Sequence, residues 1–124
     1  KADALYNIAS INYNLVDDAT GKDGENIENL TEEEIASTEG LVDEAINSLK
    51  EALEIKPDHT DAMEYLNLFY REKAELAKDE EEKVRWEKEA DKLALQAVEV
   101  ARQKKIEEER ARRQVFTEEQ GKSE

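Results

Sequence analysis

Catalysis and metal binding need particular side chains at particular spacings, and this chain of 124 residues offers 33 acids, one histidine and no cysteine. A catalytic carboxylate pair requires one acid lifted in pKa by an apolar pocket or a like charge. The acids here run together instead, as in Asp79-Glu80-Glu81-Glu82. Such a run fans around a helix start into water. His59 stands alone, so no two-histidine metal site can form. It lies two residues after Pro57, where an exposed corner and a turn role are expected. The loop 17–26 invites a calcium reading. The calcium-loop pattern fails from Asp17, from Asp18 and from Asp23, because the required acid, glycine and glutamate positions are not met. There is also no glycine-rich phosphate loop, no Ser-His-Asp set and no thiol nucleophile. The residues predict no enzyme, no metal and no cofactor.

What remains is the framework. Charged residues make up 41% of the chain and hydrophobic ones 38%, with four glycines and a single proline. Ala, Leu, Glu and Lys lose little on entering a helix, so the composition reads as one all-α domain with a modest core. The net charge of −15 is concentrated in residues 1–100, while 101–124 are nearly balanced. A polyanionic body is repelled by nucleic acid and by anionic membrane surfaces. No apolar run approaches a membrane span, so no membrane insertion is expected. The chain opens at Lys1 inside a helical pattern and without an initiator Met, which reads as a fragment. Compartment is therefore left open.

Four helices can be placed. Leu5, Ile8, Ala9 and Leu15 give residues 2–16 one apolar stripe. A turn-rich loop follows, expected to be exposed, mobile and removable over 19–26 without loss of folding. Thr31 with Glu34 then forms a capping box, with Leu30 and Ile35 placed for a hydrophobic staple. The second helix runs until Pro57, which pushes Lys56 out of the α region. Asp58 and Thr60 offer caps for a third helix over 59–78. Asp79 caps a fourth, whose stripe includes Val84, Trp86, Ala90, Leu93, Ala94, Ala97, Val98 and Ala101.

The chain repeats itself. At one constant offset Ala45, Ala52, Leu53 and Ile55 fall on Ala90, Ala97, Val98 and Val100. At a larger offset Ala4, Leu5 and Ile8 fall on Ala62, Met63 and Leu66. The loop at 17–30 absorbs the difference. Two helical hairpins therefore follow one another, and Pro57 is the corner between them.

The junction "DEAINSLKEALEIKPDHTDAMEYL" (43–66) resembles the junction between two tetratricopeptide repeats. Small residues at Ala45 and Ala52, the run Ala52-Leu53-Glu54-Ile55 before Pro57, and Met63, Leu66 and Tyr70 carry the likeness. Asn12 stands where an aromatic is common and Asn67 where a very small residue is usual. The extended second repeat also resembles those of some bacterial repeat proteins. The resemblance implies a right-handed stack of two hairpins over 1–101, while the residues of 102–124 themselves read as a charged helical extension with a disordered tail from 117. It also implies a scaffold that binds a protein or peptide along the first helices of its repeats. Tyr6, Tyr13, Asp61, Glu64, Tyr65, Leu68 and Arg71 are then the expected partner-binding residues. Acids on that face oppose a clamp for a C-terminal carboxylate and favour a basic or aromatic-apolar segment. The competing expectation is a structural module that forms homo-oligomers through exposed stacking faces, because two repeats are fewer than stacked arrays usually need.

Overall fold

A computed structural model describes residues 1–123. Four α-helices pack in pairs, α1 (Ala2–Thr20) with α2 (Glu32–Ile55) and α3 (Thr60–Glu75) with α4 (Glu80–Ser123). There are no strands among the described residues. α3 also lies against α2 and α1, so one core runs through both hairpins.

Local chemistry sets the helix ends. Thr31 Oγ1 accepts the Glu34 N–H while Glu34 returns a carboxylate to the Thr31 N–H, each at 3.1 Å, which completes the capping box. α2 stops at Lys56, as the following proline requires. Asp79 Oδ1 accepts the Glu82 N–H at 2.8 Å and starts α4. The α3 start differs from expectation. Neither Asp58 nor Thr60 caps it; the His59 ring does, Nδ1 accepting the Ala62 N–H at 3.2 Å. His59 is buried rather than set in an exposed corner, because only an inward ring reaches that amide.

The helices approach closely where their side chains are small. Ala9, Ala45, Ala52, Ala62 and Ala90 have no exposed surface. The two asparagines that depart from the repeat pattern tie the hairpins. Asn12 Nδ2 donates to the Leu41 carbonyl at 3.0 Å, and Asn67 Nδ2 donates to the Ala90 carbonyl at 2.6 Å. Each lets a polar residue sit at a helix crossing with its amide satisfied.

Three further expectations are corrected. The α1 core stripe runs through Ala2, Ala9, Asn12, Val16 and Thr20, so Ile8 and Leu15 face outward instead of joining Ala9. Because Asn12 finds partners across the hairpin, the stripe that is buried is not the most apolar one. The loop is also shorter and better built than its glycines suggested. α1 continues to a fully buried Thr20, and two single-turn 3-10 helices, Lys22–Gly24 and Ile27–Asn29, follow. Asn26 Nδ2 donates to the Ala19 carbonyl at 2.9 Å, and Ile27 packs against the core. Gly24 has φ 73°, and a Cβ there would come within 2.6 Å of Glu75 Oε2. Residues 117–123, expected to lack order, continue α4, and Glu124 lies outside the described residues.

Three measurements test this packing. Leucine at Ala45 or Ala90 overfills a closed crossing and should cost about 1–3 kcal/mol in denaturant unfolding. Leucine at exposed Ala36 should be tolerated far better. Gly24→Ala combines a left-handed backbone with a close contact, so it should cost about 1–3 kcal/mol. Removing 19–26 takes away Thr20 and should lower the melting temperature, and an unchanged transition would return the loop to a dispensable role.

Candidate peptide-binding surface

Period-3.6 spacing puts Tyr6 and Tyr13 on the α1 side that meets α3, where Tyr65 and Phe69 answer them. The rings interlock edge to face. Centroids lie 5.3 Å apart for Tyr6–Tyr65, 5.5 Å for Tyr13–Tyr65 and 5.8 Å for Tyr13–Phe69. His59 continues the row at 5.4 Å from Tyr6, its Nε2 facing Asp3 Oδ1 at 3.5 Å. Burial, with Tyr65, Asp61 and Glu64 nearby, raises the Tyr6 phenol above its ordinary pKa. It therefore stays a neutral hydrogen-bond donor. The three expected tyrosines are brought together, but as a half-buried seam that also holds α1 to α3.

A second feature opens beside this seam. Between α3 and α4 lies a groove of about 420 Å³, lined by Met63, Glu64, Asn67, Leu68, Leu93, Ala94 and Ala97. Its floor is apolar, and Glu64 stands at its edge. Asp61 is exposed one turn earlier on α3. Arg71 is not free. Its Nε donates to Asn67 Oδ1 and its NH2 group to Asp91 Oδ1, both at 3.1 Å. So the expected residues divide: three tyrosines in the seam, Glu64 and Leu68 in the groove, Asp61 near its end, and Arg71 tied into its wall. Sequence reasoning missed Ala94 and Ala97, because a small-residue stripe on a second helix reads as core. They are open because none of the described helices covers them.

The opposite end of the seam holds a carboxylate cluster. Glu72 Oε2 is buried without a hydrogen-bond partner among the described residues. Burial first, then Glu75 on its own helix and Asp17 on α1, push the Glu72 carboxyl from its ordinary 4.5 up to about 7. Tyr13 faces the same cluster, its phenol raised by burial and then by Asp17 and Glu72. The described residues contain no group of three or more acids or histidines able to hold a metal. No helix among them is long and apolar enough to cross a membrane.

Residues 14–115 match the sequence profile described as "Plant specific mitochondrial import receptor subunit TOM20". The chain belongs to that family. No curated protein and no solved structure matches it. The matched stretch takes in α2, α3, the groove and α4 well past Ala101, and leaves Tyr6 and Tyr13 just outside. A receptor subunit is a binding module rather than an enzyme. Membership in a plant-specific family also corrects the bacterial origin expected from the extended second repeat.

The Glu72 cluster gives a pH prediction. Glu72 holds its proton more tightly folded than unfolded, so stability is fully present below about pH 4.5 and is lost as pH rises through about 7. Glu72→Gln should therefore melt higher than the parent near pH 8 and close to it near pH 4. Equal melting temperatures at both ends would mean that the carboxyl is solvated.

Proposed function

We propose that this chain is a receptor module for mitochondrial presequence peptides, holding each as a basic amphipathic helix in the α3–α4 groove. The observation that carries the reading is the groove itself: an apolar trough with a carboxylate at its edge, in a member of an import-receptor family. Such targeting segments are amphipathic, rich in arginine and poor in acids. An apolar helix face fits Leu68, Leu93, Ala94 and Ala97, as in helix-in-groove recognition. Arginines flanking that face meet Glu64 and Asp61, and the chain's net charge of −15 speeds encounter. Tyr65, Tyr6 and Tyr13 extend the surface along the seam, where rigid rings tipped by hydroxyls add contact area. Arg71 serves by holding Asn67 and the α4 wall in place.

Fluorescence anisotropy with a labelled basic amphipathic peptide tests this. Leu68→Arg should weaken binding at least tenfold without changing the fold, since it fills the trough with a like charge. Neutralising Asp61 and Glu64 together should mainly slow association and flatten the salt dependence. Tyr6→Ala with Tyr65→Ala should mainly speed dissociation. Full affinity in Leu68→Arg, or tighter binding of acidic than basic peptides, would refute the assignment.

A further inference from the structure

One apolar surface is used neither by the core nor by the proposed peptide site. Ile8, Ile11 and Leu15 project from α1 with 41%, 61% and 49% of their surface exposed. With Ala4 they recur at helical spacing, so they form one stripe on the helix.

The internal repeat gives this stripe a meaning. At the offset that aligns α1 with α3, Ala4, Ile8 and Ile11 fall on Ala62, Leu66 and Phe69. Those three are buried in the core, where α3 lies on the α1–α2 hairpin. The α1 stripe is thus the counterpart of that docking face, and it stays exposed among the described residues. The other end of the chain has the reverse. At the offset that aligns α2 with α4, Leu49 and Ala52 fall on Ala94 and Ala97. Leu49 and Ala52 are fully buried in the first hairpin, whereas Ala94 and Ala97 line the open groove of the second.

We infer that a second copy of this chain docks its α1 stripe into the α3–α4 groove, repeating between chains the contact that α3 makes within one. Charge supports this occupant. Inside the chain His59 faces Asp3 at the end of the contact. Between chains the same offset places Lys1 where His59 stands and Asp61 where Asp3 stands, a full cation opposite a carboxylate. Asn7 falls at the Tyr65 position and Glu64 at the Tyr6 position, so an amide meets an acid where two rings met. The contact is heterologous. Each docked copy still presents one free stripe and one free groove, so association is open-ended. Two copies each carrying −15 repel at a distance, and the contact strengthens as salt screens that repulsion. Binding of a basic peptide responds in the opposite direction. The inference uses the groove of the proposed function but rests on the repeat, not on that reading.

Sedimentation velocity across a concentration series at near-physiological salt tests it. The parent chain should show a weight-average mass that keeps rising with concentration, more steeply as salt increases. A donor variant, Ile8→Glu with Ile11→Glu, and an acceptor variant, Ala94→Glu, alter exposed positions and should each remain monomeric alone. Mixed in equal amounts they should form a species that stops at two copies, since one intact stripe and one intact groove remain. The donor variant should still bind the basic peptide, which separates failure of stacking from failure of the peptide site. A parent that stays monomeric throughout overturns the inference. So does a mixture that fails to pair, or association that survives Ala94→Glu, because stripe-to-stripe pairing would then explain it.

Discussion

A helix that buries one stripe needs a neighbour for it, and the neighbours here come within reach only because the crossings are built from alanine. Ala9, Ala45, Ala52, Ala62 and Ala90 are closed to solvent. At these points the backbones, rather than long side chains, set the separation. Larger residues, Leu49, Met63, Leu66 and Phe69, then fill the space to either side. The amides of Asn12 and Asn67 work only at such short range, since each must reach a carbonyl on the facing helix. Register of the hairpins, position of the tyrosine seam and width of the groove all follow from these contacts.

Charge acts on a different scale. Most of the acids are exposed and contribute little individually to stability. A few contacts are more committed. Lys73 lies 2.6 Å from Asp43 on α2 and 5.4 Å from the Trp86 ring centre on α4, linking three helices. Trp86 in turn stacks on Tyr70 at 5.6 Å, so the indole is a packing anchor. Glu72 is the reverse case, a carboxyl placed among acids and deprived of water. Its neighbours Tyr13, Asp17 and Glu75 bring α1 and α3 together there, so the cluster taxes the same interface that the tyrosine seam stabilises.

Much of the framework was legible because helix punctuation is local chemistry. Thr31 with Glu34, Pro57 and Asp79 mark their boundaries through groups only a few residues apart. The all-α architecture in two hairpins follows from the same spacing. What was not legible depended on partners distant in sequence. Which α1 stripe turns inward is decided by Asn12 finding Leu41 and Glu44, which no periodicity records. His59 replaces Asp58 and Thr60 as the cap because its ring is held beside Tyr6. In the candidate site, the tyrosines and Leu68 were named only through the resemblance, which puts a binding face on the first helices of the repeats. Ala94 and Ala97 were not, since their spacing is that of a core although the described helices leave them open.

That open surface joins the fold to the proposed activity. An internal repeat reads its α1–α2 surface with α3, permanently, because both are one chain. The α3–α4 surface matches it at the repeat offset but lacks Leu49 and Leu53 in kind, carrying Ala94 and a largely exposed Val98 instead. Smaller side chains leave a trough where the first hairpin has a filled contact. A helix entering it gains apolar burial from few residues, about 25 cal/mol for each Å² removed from water, and gives up translational freedom that α3 never had. Those terms match the reversible seating of an amphipathic helix that the proposed function requires. Under the proposed function, a shallow trough with acids at its edge suits reversible capture of a basic segment better than the closed contact of the first hairpin would.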